Sequence, residues 1–397
     1  MRPAAYVLAI ASIAGAAFPC HAGTIPGTIL YATAGSQQRV DGFCVRGDGS
    51  LAPTPTVARA TAGIEPRRLL VAGGVLYVAE LNQVEAFKIG SHGGLQPVGN
   101  TEVLTKKETG NNMEAVDLTT SPDGTLLYVA ERGPDQVVAY PIPLGSDTKL
   151  TSCIQGESNA DFLALAVHAS MLYVAGAGQI RGINVFVLNA DGGLPAPPEN
   201  CLRSTSTQKR SAPTVPLSCR KRLERPRGLV IDEASNVLYA EDKVQSRVFA
   251  FALQPDGTFS PAPLNCTQGS QKKKEQQPPL NKTDVVAAYQ SLLLSRSTLF
   301  GIQFDHGRID AYHVNSDGRL SQQPTREAAD VRMTPVRGTI NGDVLYLGGG
   351  ELDRVRAFHL RDSDGMLAGS DSFSQTDEQA GSFPNDVALA VLDGTCP

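Results

Sequence analysis

The feature that most constrains the fold is a short phrase that recurs along almost the whole chain. A leucine is followed by an aromatic residue seven times, and small or β-branched residues usually come next. About ten residues later, a β-branched residue precedes another aromatic residue by three positions. The copies are 45 to 66 residues apart and begin at Leu30, Leu76, Leu127, Leu172, Leu238, Leu299 and Leu345.

Each repeat also carries signals for tight turns and for further strands. Asp-Gly pairs follow most of the second phrases, and glycine accepts the positive φ of a tight hairpin turn. A further apolar run precedes each leucine-aromatic pair, as at residues 228–231. Each repeat therefore holds about four short strands, which predicts an all-β chain built from repeated antiparallel units.

The two ends of the chain favour a closed ring over a linear stack. The first repeat begins at Leu30 without an inner strand before it, whereas residues 385–391 form an inner strand with no repeat after it. A linear stack leaves unpaired sheet edges at both ends. We therefore predict a seven-bladed β-propeller of four-stranded antiparallel blades, closed by pairing of the N- and C-terminal segments.

The first 22 residues have the pattern of an export signal. A positive start at Met1-Arg2 precedes a small, apolar run at residues 4–17, and Ala22 ends a suitable cleavage site. We predict a signal peptide at 1–22, a single propeller domain at 23–397 and a periplasmic or secreted location. No other segment approaches the ~18 apolar residues of a membrane-spanning helix. A closed ring further predicts a monomer.

The cysteine count suggests disulfides in the mature protein. Six cysteines follow the predicted signal peptide, and an even number in an exported chain is typical of disulfide bonding. Six cysteines allow 15 pairings. The pairings that we favour are Cys44 with Cys396 across the ring closure, Cys201 with Cys219 across one loop, and Cys153 with Cys266 by elimination.

Several phrases resemble the repeat of a known family. The segments 121–130 (SPDGTLLYVA) and 226–230 (PRGLV) are similar to repeats of the seven-bladed lactonase-type propellers. That group includes bacterial 6-phosphogluconolactonases and carboxymuconate-cyclase-like enzymes. The resemblance implies a propeller fold and, as one activity, lactone hydrolysis. It assigns no catalytic residue, because no lactonase catalytic motif matches this sequence residue by residue.

Two positions in each repeat place side chains at the face where propellers usually bind ligands. One is the fourth residue after the leucine of each leucine-aromatic pair, and the other is the start of each inner strand. Together they predict a ring of carboxylates mixed with arginines. The first position holds Ala34, Glu80, Glu131, Gly176, Asp242, Gln303 and Gly349, and the second holds Arg67, Glu114, Asp161, Arg227, Asp284, Arg337 and Asp386.

Three interpretations of this ring stay open. In the first, an arginine grips an anionic substrate while a carboxylate or histidine activates water. In the second, carboxylate oxygens hold a divalent cation such as Ca²⁺. In the third, the charges are ordinary strand ends that pair with one another. The hydrolase assignment makes Glu80, Glu131 and His306 catalytic and Arg67, Arg227, Arg337 and Asp242 substrate-binding; the metal assignment uses Glu114 and Asp386.

The functional prediction is an exported, lactonase-like propeller that binds or hydrolyses a small anionic lactone, sugar-like or carboxylated. The alternative is a non-catalytic propeller of the cell envelope. It would engage a protein or an anionic polymer through two long basic loops, at residues 202–224 and 269–282. The net charge of −5 and the lack of aromatic residues in these loops argue against nucleic acid as a partner.

Overall fold

The computed structural model describes most of the chain between residues 24 and 392. The described ranges are 24–57, 60–63, 65–81, 83–102, 114–132, 136–144, 151–155, 162–176, 182–195, 223, 225–243, 247–260, 262–269, 289–303, 307–324, 326–328, 335–349, 354–361, 365–368, 373–375 and 386–392. The predicted signal peptide, the predicted Cys201–Cys219 and Cys44–Cys396 pairings and almost all of the two basic loops lie outside these ranges.

The described strands form seven antiparallel sheets that follow one another along the chain. Blade 1 contains β1 (Thr24–Ala34), β2 (Arg39–Arg46) and β3 (Ala60–Thr61), together with β27 (Val387–Val391). Blade 2 contains β4 (Arg68–Ala72), β5 (Val75–Ala79), β6 (Gln83–Ile89) and β7 (Leu95–Glu102). Blade 3 contains β8 (Glu114–Thr120), β9 (Leu126–Arg132), β10 (Gln136–Pro141) and β11 (Ser152–Gln155).

The remaining four blades repeat this order. Blade 4 contains β12 (Phe162–His168), β13 (Met171–Gly176) and β14 (Gly182–Val187). Blade 5 contains β15 (Pro226–Asp232), β16 (Val237–Asp242), β17 (Arg247–Ala252) and β18 (Asn265–Gln268). Blade 6 contains β19 (Tyr289–Ser295), β20 (Thr298–Gln303), β21 (Arg308–His313) and β22 (Arg326–Ala328). Blade 7 contains β23 (Pro335–Asn341), β24 (Val344–Gly349), β25 (Arg354–His359) and β26 (Phe373–Gln375).

The first and last strands of the chain belong to the same sheet. β27 pairs antiparallel with β1 over the register Thr28 opposite Val391 to Ala32 opposite Val387. The inner strand of every blade contacts the inner strand of the next, and β23 of blade 7 contacts β27 of blade 1. The predicted seven-bladed propeller, closed by its N- and C-terminal segments, is therefore confirmed. Blade 4 shows three strands among the described residues, against the four predicted.

The hydrophobic core is divided among the interfaces between blades. The strands alternate their side chains between two faces, and both faces pack against neighbouring sheets. This explains why the second strand of each blade is apolar throughout: Leu76 and Val78 of β5 pack toward blade 1, and Tyr77 and Ala79 pack toward blade 3. Among the described residues, a buried cluster fills each of the seven interfaces.

In five of the seven blades, the tyrosine of the recurring phrase bonds to a turn of the next blade. The hydroxyl of Tyr239 in blade 5 donates a 2.8 Å hydrogen bond to the carbonyl of Gly318, in the Asp-Gly turn of blade 6. Gly318 has a φ of +76°, which this tight turn requires. Equivalent bonds join Tyr31 to Gly93, Tyr128 to Gly192, Tyr173 to Gly257 and Tyr346 to Gly49.

The positions of the cysteines contradict one of the three predicted disulfide bonds. Cys44, Cys153 and Cys266 are disulfide-bonded. Cys153 is buried in the interface between blades 2 and 3, and Cys266 lies in the interface between blades 4 and 5. Because blade 4 lies between blade 3, which holds Cys153, and blade 5, which holds Cys266, the predicted bond between them is wrong. Within the part of the chain that the structure describes, no helix is long and apolar enough to cross a membrane.

The tyrosine-turn bonds predict the cost of losing one hydroxyl. Tyr239→Phe keeps the buried ring and leaves the carbonyl of Gly318 without its donor, so we expect a loss of about 1 kcal/mol in the free energy of unfolding. Denaturant titration measures this loss. Blade 6 carries Phe300 at the equivalent position, so the fold should be retained. An unchanged free energy would contradict a stabilising role for these bonds.

Candidate functional site

One residue from each inner strand occupies the same register position around the central axis. It pairs with the third residue after the leucine of the recurring phrase, as Arg68 pairs with Ala79 and Asp117 with Ala130. We call these seven residues the inner ring. In blade order it consists of Asp386, Arg68, Asp117, Ala164, Gly228, Ser291 and Arg337. Asp386 directly precedes β27, and its position and that of Gly228 follow from the register of the neighbouring pairs.

A register shift precedes the inner-ring residue in most blades. The pairing of β8 with β9 shifts between Ala115 and Asp117, and the pairing of β23 with β24 shifts between Pro335 and Arg337. The inner strands of blades 4, 5 and 6 shift at the equivalent point. An extra residue at such a bulge changes the direction of the side chains that follow it. In these five blades, the first residue of the inner strand is therefore not the one that belongs to the ring.

Arg68 lies between two carboxylates of the inner ring. Its guanidinium donates to Asp117 of blade 3 and, at 3.4 Å, to Asp386 of blade 1. Asp386 also accepts hydrogen bonds at 3.0 Å from the amides of Leu69 and Val387. The three side chains thus form a charged network across blades 1 to 3, and the C-terminal segment supplies one of its members.

Asp117 makes the same kind of link one interface further on. Its carboxylate accepts hydrogen bonds from the amide of Leu118, at 3.0 Å, and from the amide of Leu165 in blade 4, at 2.8 Å. Charge-assisted bonds of this kind are stronger than bonds between neutral groups. The two aspartates therefore fix the position of Arg68 and the spacing between inner strands.

Arg337 is the second cation of the inner ring, and it has no such partner. It is half-buried, and within the described residues its guanidinium makes no ion pair or hydrogen bond. Burial lowers the pKa of Arg337 to about 10, and the nearby charge of Arg68 acts in the same direction. The charges of Asp117, Asp386 and Glu241 oppose this shift. Arg337 therefore faces the centre as a charge that no carboxylate directly neutralises.

Glu241 lies opposite the glycine of the inner ring in blade 5. The side chain is fully buried, and neither carboxylate oxygen has a hydrogen-bond partner in the part of the chain that the structure describes. A Cβ atom on Gly228 would lie 3.1 Å from Cγ of Glu241, so the glycine leaves the space that the carboxyl group occupies. Burial raises the pKa of Glu241 to about 8, although the charges of Arg227 and Arg337 oppose the rise.

The inner ring is therefore asymmetric. Blades 7, 1, 2 and 3 contribute charged side chains, whereas blades 4, 5 and 6 contribute Ala164, Gly228 and Ser291. Glu241 stands on the small side, in electrostatic range of Arg337 on the charged side but not bonded to it. An unpaired cation and an unpaired buried carboxyl group together suit a ligand that has both acceptor and donor oxygens.

The predicted catalytic carboxylates are buried in separate interfaces. Glu80 accepts a 2.6 Å hydrogen bond from the amide of Gly63 and a 2.8 Å bond from Gln83, whose side chain also reaches Glu85. Burial raises the pKa of Glu80 to about 8. By strand alternation, Glu80 faces blade 1, whereas Asp242 of β16 faces blade 4. The structure does not bring them together.

Glu131 resembles Glu80 but keeps one oxygen without a partner. Gln136 donates a 2.5 Å hydrogen bond to one carboxylate oxygen, and the other oxygen is buried and unbonded. Burial raises the pKa of Glu131 to about 7, which the bond from Gln136 partly offsets. Its strand position directs it toward blade 2. His306, the third predicted catalytic residue, lies outside the described residues.

Both predicted metal ligands form ion pairs with arginines. Glu114 forms ion pairs with Arg67 and with Arg132, and Asp386 binds Arg68. Within the described ranges, no group of three or more His, Cys, Asp or Glu side chains is arranged to hold a metal ion. The described residues therefore do not support the predicted calcium site.

The predicted substrate-binding residues divide into two groups. Arg227 and Arg337 lie in electrostatic range of Glu241. Arg67 pairs with Glu65, at 2.6 Å, and with Glu114. Asp242 is fully buried opposite Pro226 in the sheet of blade 5.

Sequence reasoning missed Arg68, Asp117 and Glu241. Arg68 and Asp117 each directly precede the leucine of an inner apolar run, as Asp386 precedes Val387, and this signal identifies the inner ring. Glu241 replaces the small residue that the phrase carries at Ala79 and Ala130. An acidic residue at a repeat position that holds alanine in blades 2 and 3 was the sequence signal for Glu241.

The strand order and the ring closure define a seven-bladed β-propeller. Residues 26–175 match the family described as "Lactonase, 7-bladed beta-propeller". The resemblance inferred from the repeats is thereby confirmed. Comparison with curated proteins found no match.

Solved structures share this fold at low sequence identity. The periplasmic gluconolactonase of Pseudomonas aeruginosa is 15% identical, with a TM-score of 0.68 and coverage of 92% of this chain and 99% of that chain. A protein from Lactobacillus plantarum is 12% identical, with a TM-score of 0.70 and coverage of 92% and 100%. A Bacteroides fragilis protein, provisionally described as a 6-phosphogluconolactonase, is 14% identical, with a TM-score of 0.66 and coverage of 92% and 98%. At these identities the likeness shows the fold alone.

The raised pKa of Glu131 predicts a pH-dependent stability. The folded protein holds this proton to about pH 7, whereas the unfolded chain releases it near pH 4.5. Stability contributed by the protonated group is therefore lost as the pH rises from 4.5 to 7, by about 1.4 kcal/mol per pH unit at most. Glu131→Gln should remove this part of the slope in denaturant titrations between pH 5 and 8. The exposed Glu233→Gln is the control, and an unaltered slope in Glu131→Gln would contradict the shift.

Proposed function

We propose that this protein is an exported, lactonase-like hydrolase that opens a small anionic lactone at the centre of its inner ring. The observation that carries the proposal is the pair formed by Arg337 and Glu241. Both are charged residue types held near the axis, and neither has a bonded partner within the described part of the chain. Leaving buried polar groups unpaired costs about 1–3 kcal/mol each, and such groups are retained mostly where a ligand or water uses them.

The two residues suit two different tasks. The guanidinium of Arg337 presents several N–H donors to the anionic group of the substrate. The carboxylate of Glu241, with a pKa of about 8, suits a general base that works near neutral pH. Arg227, also in range of Glu241, stabilises the negative charge that develops on the carbonyl oxygen.

Hydrolysis of the lactone then requires only these side chains and one water molecule. Glu241 takes a proton from water as the water oxygen bonds to the lactone carbonyl carbon. The tetrahedral intermediate collapses and breaks the ring C–O bond. Glu241 returns the proton to the departing ring oxygen, which leaves a hydroxy acid. The descriptions of the structural neighbours from Pseudomonas aeruginosa and Bacteroides fragilis as a gluconolactonase and a 6-phosphogluconolactonase support this choice of reaction. They suggest 6-phosphoglucono-1,5-lactone as the first anionic substrate to assay, with the uncharged glucono-1,5-lactone as its comparison.

Glu241→Gln is the variant that tests the base. It keeps the shape of the side chain and cannot accept a proton, so we expect kcat to fall by about 10²–10⁴. Wild-type kcat/KM should rise with pH and level off above about 8, after subtraction of uncatalysed hydrolysis. Glu233→Gln in the same blade is 82% exposed and serves as the control. A Glu241→Gln enzyme with wild-type turnover would refute this role.

Arg337→Gln tests the anion-binding role. Loss of the charged fork should raise KM for an anionic lactone by about tenfold or more, with a smaller effect on kcat. Steady-state kinetics at constant ionic strength measure both parameters. A change confined to kcat would contradict the assignment.

Two further outcomes decide between this proposal and a binding protein. If the wild-type chain hydrolyses no lactone in a broad screen but binds the corresponding hydroxy acids, a non-catalytic binding propeller is favoured. Sequencing of the N-terminus of the mature protein tests export, since cleavage after Ala22 is expected.

A further inference from the structure

The aspartates of the inner ring each bridge backbone amides of two neighbouring blades. Asp386 accepts 3.0 Å hydrogen bonds from the amide of Val387 in its own blade and from the amide of Leu69 in blade 2. Asp117 accepts one bond of 3.0 Å from the next amide of blade 3 and one of 2.8 Å from Leu165 in blade 4. One oxygen binds each amide, so a single carboxylate serves two amides at the centre of the ring.

The corresponding amides of blades 5 and 6 have no such acceptor. Leu229 and Leu292 occupy the register of Leu69, opposite the second residue after the leucine of the recurring phrase. At this register the amide points away from the second strand and toward the axis, where the aspartates of the other blades accept it. Among the described residues, no side chain or loop accepts a hydrogen bond from either amide. Blade 5 carries Gly228 at the ring position where blades 1 and 3 carry aspartate.

The space above Gly228 adjoins both a free amide and the proposed base. A Cβ atom built on Gly228 would lie 3.2 Å from the amide nitrogen of Leu292 and 3.1 Å from Cγ of Glu241. Glu241 and Leu292 therefore meet at this glycine, in the interface between blades 5 and 6. Burial raises the pKa of Glu241 to about 8, so at neutral pH most of this group is protonated and can donate to a carboxylate.

We propose that the amides of Leu229 and Leu292 form a carboxylate-binding site above Gly228, where the ligand supplies the carboxylate that blade 5 lacks. The ligand places one oxygen on each amide, as the two aspartates of the ring do in blades 1 to 4. The identity of the ligand rests on the proposed function. Hydrolysis of a lactone leaves a carboxylate whose oxygens are the former carbonyl oxygen and the oxygen of the attacking water.

The site therefore positions the reacting carbonyl group over Gly228, beside Glu241. Backbone amides directed at the carbonyl oxygen stabilise the negative charge that develops on it during attack. The same amides then hold the carboxylate of the product. Because the donors are backbone groups, no side-chain motif in the sequence marks this site.

Removal of one amide proton tests the site without a change of side chain. Incorporation of the α-hydroxy analogue of leucine at position 292 replaces the N–H with an ester oxygen. Calorimetric titration of the folded protein with gluconate should then show binding weakened about tenfold or more, because a charge-assisted hydrogen bond is lost. The same replacement at Leu294, the next residue of β19 at an equivalent register, is the matched control and should leave the affinity unchanged.

Gly228→Ala is an independent test that needs only a conventional substitution. Its methyl group would lie 3.2 Å from the nitrogen of Leu292 and would cover this donor, so gluconate binding should weaken to a similar extent. The ring tolerates alanine, since blade 4 carries Ala164 at the equivalent position. Ala164→Gly is the control and should bind gluconate like the wild-type protein.

The outcomes separate this inference from the proposed function. Equal affinities of the proteins with the replacement at position 292 or 294 would overturn the carboxylate site, even if turnover still depends on Glu241. A wild-type protein that binds neither gluconate nor lactate would overturn it as well. If the wild-type protein hydrolyses no lactone but its affinity for gluconate depends on the amide of Leu292, the hydrolase proposal fails and the carboxylate site stands.

Discussion

The pairing of β27 with β1 is the interaction on which the rest of the structure depends. Five pairs of residues join the last strand of the chain to the first. Open sheet edges would expose unpaired amides and carbonyls, which can pair with other chains. Ring closure removes such edges and completes blade 1. The same pairing places Asp386 beside Leu69 and Arg68 of blade 2. Ring closure therefore also completes the charged network, because Asp386 comes from the closing segment.

The two sides of the inner ring differ in their hydrogen bonding. Around Arg68 every carboxylate oxygen of Asp386 accepts a hydrogen bond from a backbone amide. In contrast, neither carboxylate oxygen of Glu241 has a hydrogen-bond partner among the described residues. Gly228, which has no side chain, only leaves room for this carboxyl group. A chain selected for stability alone would place an alanine at position 241, as at Ala79 and Ala130 of the other repeats. The departure from the repeat marks the place where function is most reasonably sought.

The fold was predictable because its signals are local and repeated. The leucine-tyrosine phrase alternates between two blade interfaces, and the Asp-Gly turns accept the tyrosine hydroxyls of the neighbouring blade. Because the pattern occurs seven times, it predicts seven blades. The site was predicted less well, because the bulges at the start of the inner strands shift the register by one residue or more. Arg337 and Asp386 were found, whereas Glu114 was chosen in place of Asp117 across such a bulge. Arg67 was chosen in place of Arg68 in blade 2, where the pairing shows no shift.

The sequence by itself determined the strands, their turns and the number of repeats, since each depends on neighbouring residues and on the period of two along a strand. The incomplete first and last repeats also determined that the ring closes. Only the tertiary structure decided which charged side chains meet. Glu80, Glu131 and Asp242 share one repeat position but face different interfaces, and Arg68, Asp117 and Asp386 come from three blades. The reason is physical: contacts between blades depend on bulges and side-chain direction, which no local pattern encodes.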